Sequence, residues 1–263
     1  MESNILETSP VRFQLSNEGW RRLNAGRKAA DLIREAISNT FDAEDVTEVR
    51  IWLEPGFVSI EDNSPHGISD VTLVTTVFMT DKQDNAIKRG RKGRGLKELI
   101  SAAEWAEVDT VGFKTIFTEG RTVEKSSRAN GTKVSVKVES WDQKEIDAAI
   151  AYLTKIIPPG NTKLYINDVL IKARKLRNSL PATLRTQIVK DGIQQETYRS
   201  TAIEIINLAK GEERGWIYEM GIPIQQITTR FHINICQRVP LNDNRDTVDQ
   251  YYLGSVFGAV LHT

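Results

Sequence analysis

The sequence predicts a mixed α/β fold in two parts, a larger first part and a smaller α+β second part. Three observations lead there. A helix through Arg34–Ala43 carries apolar residues on one arc, and it runs into two alternating strands joined at Pro55-Gly56. A glycine-rich turn, Gly90 to Gly95, opens a second helix. At Pro158-Pro159-Gly160 the pattern breaks and restarts, because proline cannot continue a helix. The 263 residues suffice for one large or two medium domains, and we divide them at 1–157 and 158–263.

In the first helix, which ends near Asp45, a step of roughly 100° per residue puts Glu35, Asn39 and Asp42 within about 60° of one another. Leu32, Ile33, Ala36, Ile37, Thr40 and Phe41 fill the opposite arc. The run V-T-E-V-R-I-W-L-E-P-G-F-V-S-I-E-D that follows alternates with period two, and Pro-Gly is a type II turn signal. Val58, Ile60 and Asp62 share one face of the second strand, so a carboxylate ends an apolar stripe and needs a hydrogen-bonding partner there. Ser64–Lys92 lacks a period and reads as a long irregular connection. A helix is expected over Gly93–Ala103, strands over Glu107–Gly112, Lys114–Thr118 and Thr132–Val138, and a helix over Trp141–Ile157. The second part offers strands near Lys163–Asn167, Ser200–Leu208, Gly215–Glu219 and Phe231–Cys236, with a closing helix over Asn244–Val260.

Composition narrows the function. Thirty-five basic residues balance thirty-five acidic ones, so any nucleic-acid or anionic-membrane partner has to meet a local patch. The single cysteine, Cys236, excludes an intramolecular disulfide and a multi-cysteine metal site, and its place in F-H-I-N-I-C-Q reads as a small core residue of a strand. No apolar run reaches the roughly 18 residues of a membrane span, and Met1–Pro10 has no signal-peptide core. A reducing, cytoplasmic setting is expected, with no membrane partner.

The cluster R-G-R-K-G-R-G-L-K places Gly90, Gly93 and Gly95 among Lys88, Arg89, Arg91, Lys92, Arg94 and Lys97. Glycines let backbone N–H groups approach a polyanion, and a helix N-terminus adds the positive end of its dipole. The spacing is neither a P-loop nor a dinucleotide fingerprint.

Taken in order, E-x-x-x-N-x-x-D-A at Glu35–Ala43, Asp62 with Gly67, G-x-x-G-x-G-L at Gly90–Leu96 and G-T-K-V at Gly131–Val134 resemble the GHKL superfamily of gyrase-type topoisomerases, ninety-kilodalton heat-shock chaperones, histidine kinases and MutL. The resemblance covers residues from about 20 to 139. It implies the two-layer α/β sandwich of the Bergerat type holding ATP and Mg²⁺ beneath a flexible lid, followed by a smaller α+β transducer-like domain of the ribosomal S-five type. It implies that Glu35 is the general base, that Asn39 holds Mg²⁺ and that Asp62 accepts from the adenine amino group. Asp42 and Thr132 would complete the adenine and helix-end contacts, Gly90, Gly93 and Gly95 would form the phosphate-side hinge of the lid, and Gly67 and Leu96 would be further nucleotide-binding residues. The second motif departs from the family's D-x-G-x-G: here D-N-S-P-H-G has Ser64 and Pro65 before Gly67, and His66 reads as an exposed loop residue.

The segment V-P-L-N-D-N-R-D-T-V at Val239–Val248 resembles the L-P-L-N-x-S-R-E stretch of the heat-shock chaperones, which makes Arg245 a catalytic phosphate sensor reaching in from the second part; Asn242–Asp246 equally suits a helix cap. Lys172, Arg174, Lys175, Arg177, Arg185 and Lys190 form a basic stretch without nearby acids in sequence, read as a solvated loop or as a nucleic-acid contact. The favoured reading is an Mg²⁺-dependent ATPase whose nucleotide closes a homodimeric clamp, with the arm Met1–Arg22 exchanging between protomers or packing on its own domain. Nucleic-acid work, including phage rIIA-like or MORC-like roles, is preferred over a chaperone acting on a protein client or a scaffold without turnover. A histidine kinase is disfavoured, because His66, His232 and His262 all follow the first motif. The apolar end V-F-G-A-V-L-H-T leaves room for a longer protein.

Overall fold

The structure, a computed structural model, describes residues 16–24, 26–77, 79, 86–90, 93–160, 162–190, 193–242 and 245–261. The arm residues Phe13 and Leu15, the basic residues Arg91 and Lys92, and Asn244 and His262 lie outside the described residues. Helix α1 (Asn17–Asn24) leads into α2 (Ala29–Phe41) and the hairpin β1 (Glu48–Glu54) and β2 (Phe57–Asp62). Then come α3 (Val71–Thr75), α4 (Gly95–Ala102), β3 (Trp105–Thr110), β4 (Phe113–Phe117), β5 (Arg121–Lys125), β6 (Thr132–Lys137) and α5 (Gln143–Leu153). Strands β7 (Lys163–Ile166), β8 (Val169–Leu170), β9 (Leu176–Lys190), β10 (Ile193–Asn207), β11 (Gly215–Glu219), β12 (Ile222–Ile227) and β13 (Phe231–Ile235) precede α6 (Gln250–Leu261).

The first sheet has the order β5-β4-β3-β6-β2-β1-β7-β8. Along β1 the buried residues Val49, Ile51 and Leu53 alternate with outward Arg50, Trp52 and Glu54, as the period of two requires. The inward set meets Leu32, Ile33, Ala36 and Ile37 of α2, Leu99 of α4 and Ile146, Ala149 and Leu153 of α5 in one core. Each of the valine, leucine and isoleucine side chains removed from water contributes roughly 1.5–3 kcal/mol, and each alanine methyl less. The turn at Pro55-Gly56 forms with Gly56 at φ 76°, and Glu54 pairs with Phe57 across it.

The second sheet, β12-β11-β13-β10-β9, packs α6 over Leu184, Ile203, Ile217, Ile233 and Ile235. Tyr152 of α5 donates to Pro223 O at 2.7 Å, and Ile157 N–H donates to Gly221 O at 2.9 Å. Ile222 inserts into the first core, so the two parts share apolar as well as polar contacts.

Four expectations change. The division at 157/158 does not match the sheets: β7 runs parallel to β1 and β8 pairs with β7, so the first sheet continues to Leu170. The basic stretch is strand from Leu176 onward, which takes in Arg177, Arg185 and Lys190, because β9 and β10 form a hairpin of 15 residues per strand; Lys172, Arg174 and Lys175 precede it in irregular chain. Pro181 argues against a strand by propensity, but β9 is a sheet edge, where a missing N–H costs no ladder bond. The connection 64–92 contains α3, capped by Asp70, whose Oδ1 accepts from Thr72 N at 2.7 Å. The closing helix starts at Gln250, later than expected, with Asp249 Oδ1 accepting from Tyr252 N at 2.8 Å.

The first turn of α2 is capped from another helix. Its N-cap residue, Lys28, offers no side-chain acceptor, and Glu145 of α5 instead accepts from Ala29 N–H at 2.7 Å. Glu145 sits in the first turn of α5, whose own cap is Asp142. Replacing Glu145 with alanine therefore orphans an amide of the site-bearing helix, and the expected loss is about 1–2 kcal/mol. A urea titration of Glu145→Ala beside the parent protein measures it, and an unchanged midpoint would show that α2 does not depend on this cap.

Candidate functional site

Helix α2, the end of β2, the start of α4 and the segment before α6 enclose one cavity of about 1260 Å³. At one end β2 delivers Asp62, 5% exposed, below Ile60. Its Oδ1 accepts from Ser64 N–H at 2.9 Å and from Ser64 Oγ–H at 2.5 Å. Among the described residues no donor engages Oδ2, so a buried carboxylate oxygen is left with hydrogen-bonding capacity beside the cavity. Gly67 has φ 63°, and a Cβ there would lie 2.2 Å from Thr110 Oγ1. Gly131 is tighter still, with Asp62 O 1.8 Å from the position of a Cβ. Thr110 Oγ1 accepts from Ile68 N–H at 2.8 Å and lies 2.9 Å from Thr132 Oγ1, which places Thr132 in the cavity wall. His66 is exposed at the rim.

At the other end α4 begins against α2. A Cβ on Gly95 would lie 2.6 Å from Glu35 Cβ, so glycine is what lets the first turn of α4 approach Glu35. Gly93 has φ 58° and would place a Cβ 2.4 Å from Met79 O. Leu96 is buried in the first core and also borders the cavity. The cations here are already held by the protein: Lys97 Nζ donates to Met79 O at 3.2 Å and Lys88 Nζ to Asp42 O at 2.5 Å. Buried Glu98 takes Arg27 Nη1 at 2.6 Å and Arg94 Nε at 2.8 Å. These residues give this end a surplus of positive charge, the sign that suits a polyphosphate.

Between the two ends stand Glu35 and Asn39, one helical turn apart on α2, both on the cavity wall. Arg245, which reaches in from the second part, has φ 56°. Its Nη1 donates to Glu35 Oε1 at 3.1 Å and Oε2 at 2.9 Å, while Nη2 binds Glu219 at the end of β11. Burial alone would raise the Glu35 carboxyl, but Arg245 and Arg34 outweigh it and hold the group below the ordinary carboxylate range. Burial would likewise lower the Arg245 guanidinium, and Glu35 and Glu219 together raise it instead. Glu35 is thus ionised with both oxygens occupied, which is a resting state rather than a poised base. Among the described residues no group of three or more His, Cys, Asp or Glu gathers to hold a metal, and Asn39 has no side-chain partner. A lone amide oxygen suits Mg²⁺ only where phosphate oxygens and water supply the other ligands, and the cavity beside Asn39 has room for both.

No family model matches the sequence, and no curated protein does. Solved structures do. The ATPase region of Saccharomyces cerevisiae topoisomerase II bound to ICRF-187 (dexrazoxane) superposes with TM-score 0.55 at 10% identity, over 89% of this chain and 84% of that chain. A second structure of the same yeast region gives TM-score 0.54 with the same identity and coverage. The fold is the GHKL ATPase fold.

Within the GHKL fold the cavity brings together Glu35, Asn39, Asp42, Asp62, Gly67, Gly90, Gly93, Gly95, Leu96, Thr132 and Arg245, each expected from sequence. Two of them do something other than expected. Arg245 engages Glu35 and Glu219, as described above. Asp42 is not available to a base: its carboxylate is buried, Oδ1 accepts from Arg89 N–H at 2.9 Å and Arg89 Nη1 at 3.2 Å, and Oδ2 accepts from Gly90 N–H at 2.7 Å. The reason is positional, since Asp42 caps the C-terminal end of α2 and the chain before Gly90 returns across it. Ser64, Arg89, Glu219 and Arg238 matter here and were not singled out as site residues from sequence. Ser64 follows Asp62 at the spacing of a local side-chain turn, which is a readable signal, whereas the other three have none.

Because Asp42 counters the buried Arg89 guanidinium, Asp42→Asn leaves that charge uncompensated. Burial already pulls Arg89 below its ordinary value and Asp42 opposes the shift. A loss of roughly 3–5 kcal/mol in unfolding free energy is expected, the usual cost of removing one partner of a buried pair. Chemical denaturation of Asp42→Asn checks this, and a loss under about 1 kcal/mol would return Asp42 to ligand binding.

Proposed function

We propose that this protein binds and hydrolyses ATP with Mg²⁺. The observation that supports it is the convergence of Glu35, Asn39, Asp62 and the Gly93–Gly95 turn on one cavity within the GHKL fold. In this reading Asp62 Oδ2 accepts from the exocyclic amine of adenine, with Ser64 fixing Oδ1, and Thr132 closes that end. The amides at the start of α4 face the phosphates, with Lys88, Arg94 and Lys97 around them. Asn39 would help hold Mg²⁺, and the ion would supply neutralisation of the phosphate charge. Glu35 orients and deprotonates the attacking water, which requires Arg245 to release it. A guanidinium freed from Glu35 suits the terminal phosphate, so arrival of ATP exchanges one partner of Arg245 for another.

The nucleotide closes a homodimer in this proposal, as the sequence resemblance to gyrase-type, MutL and chaperone clamps implies. Nucleic acid is the favoured client, but by a smaller surface than the sequence offered. Arg174 makes two bonds with Glu212, at 2.8 and 3.0 Å, and Arg185 pairs with Glu196 and Asp249. Burial alone would raise Glu212, yet Arg174, the Ala209 amide and His232 hold it at about 2. Lys172, Lys175 and Arg177 remain exposed for phosphate contact, and the side chain of Lys190 is outside the described residues. A nucleotide-binding scaffold without turnover is the second reading, favoured by the two-oxygen hold of Arg245 on Glu35. Among the described residues no helix is long and apolar enough to cross a membrane.

Glu35→Gln keeps the shape and removes the base. Turnover should fall by about a hundredfold or more while ATP affinity stays within a few-fold; equal turnover in a phosphate-release assay would remove Glu35 from the chemistry. Asp62→Asn should weaken ATP binding by about 2–5 kcal/mol, the cost of losing a buried charged hydrogen bond. Light scattering after size exclusion, with Mg²⁺ and a non-hydrolysable ATP analogue, should show a dimer for the parent protein and a monomer for Asp62→Asn. A parent that binds the analogue but stays monomeric sinks the clamp and leaves the scaffold.

A further inference from the structure

Residues Ala86–Gly90, a turn at Ala86–Ile87 and a bend at Arg89, form a strap that belongs to neither sheet. Its carbonyls nonetheless have partners, and three of them share a single one. Arg238 N–H donates to Ala86 O at 3.0 Å, Arg238 Nε to Lys88 O at 2.8 Å and Arg238 Nη2 to Gly90 O at 2.7 Å. Three carbonyls of this irregular strap thus converge on one arginine, which satisfies acceptors that no sheet ladder reaches. Arg238 is 1% exposed, and an arginine is committed so deeply only where its donors are used. On the other side Asp42 takes the amides of Arg89 and Gly90, while Arg89 sends Nε and Nη2 to Met220 O at 2.9 and 2.6 Å. The strap is therefore fastened to α2 through its amides and to the second part through its carbonyls and one side chain.

Arg238 also begins the segment that carries Arg245. Next to it, Val239 N–H donates to Glu219 Oε1 at 2.8 Å, and Glu219 Oε2 holds Arg245, which holds Glu35. One segment of the second part thus grips both the strap Ala86–Gly90, which precedes Gly93 and Gly95 in sequence, and the carboxylate proposed as the base. We infer that Arg238 is a positioning residue for ATP turnover: it sets where the strap, and the glycine turn after it, stand relative to Glu35, so that movement of Arg245 and of the strap occur together. This rests on the ATPase reading above. Lysine cannot replace it, because one ammonium on a flexible stem does not span two fixed carbonyls as the planar guanidinium fork does.

The test uses the full chain as parent, Arg238→Met and Arg238→Lys. Amide hydrogen exchange over residues 86–90 reads the strap without reference to catalysis. Exchange there should quicken by about tenfold or more in Arg238→Met and by less in Arg238→Lys, with the β1 and β6 amides unchanged. ADP affinity, which depends on the Asp62 end, should stay within about twofold while kcat falls about tenfold, a split that loss of folded protein does not produce. Combining Arg238→Lys with Arg245→Ala should give less than the product of the two single effects on kcat, as expected for residues acting through one unit. Should Arg238→Met fail to fold, as orphaned carbonyls could cause, Arg238→Lys decides the matter alone. Unchanged strap exchange in the folded variants overturns the inference, and so does a parallel fall of ADP affinity and kcat. A parent protein without ATP turnover defeats the ATPase reading instead, and faster strap exchange would then still establish Arg238 as the residue that places the strap.

Discussion

The arrangement of this protein depends on buried charge pairing along α2. Midway along the helix Glu35 is held by Arg245, which also binds Glu219; at the C-terminal cap Asp42 is held by Arg89 and the amides of the strap. Such pairs add little net stability, since desolvation cancels most of the attraction, but removing a single partner is expensive. They therefore specify how the parts face each other more than they hold them together, and the apolar contribution across this junction comes from residues such as Ile222. A junction of this kind can change partners when a polyanion arrives, which a purely apolar one cannot.

The cavity is made by close approaches that only glycine permits. Gly95 brings α4 against Glu35, Gly67 and Gly131 bring the chain after β2 against β3 and β6, and Gly93 turns with φ 58° beside Met79. Each is a point where a Cβ would collide with backbone or with the stem of a side chain, so these positions define the shape of the site as strictly as the polar residues define its chemistry. Ser64, which stands where the glycine pattern of the resembled motif is absent, spends both its amide and its hydroxyl on Asp62.

Much of the first part was legible in the residues. The period of α2, the alternation of β1 and β2 and the Pro55-Gly56 turn are short-range signals, and they appear where the pattern places them. Period alone put Glu35 and Asn39 on one helix face and Asp62 at the end of an apolar stripe, whereas their roles, and Thr132 altogether, came from the motif resemblance; all four line the cavity. The hairpin β9–β10 was hidden by Pro181 and by its basic residues; the proline is tolerated because β9 is an edge, and Arg185 is met by Glu196 of β10 and by Asp249 far away in sequence.

The sequence by itself determined the periodic elements and the glycine positions, and its motif resemblance named the polar groups expected around one cavity. Tertiary structure alone decided which of those groups are free. Asp42 and Asp62 are both carboxylates ending an element, yet Asp42 is spent on Arg89 and Gly90 while Asp62 keeps one oxygen for the cavity. Glu219 and Arg238 enter only through contacts spanning long stretches of chain, and no local pattern encodes those. The physical reason is that direction along a helix or strand is a short-range property, whereas the pairing of a buried charge depends on which distant donors the folded chain brings to it.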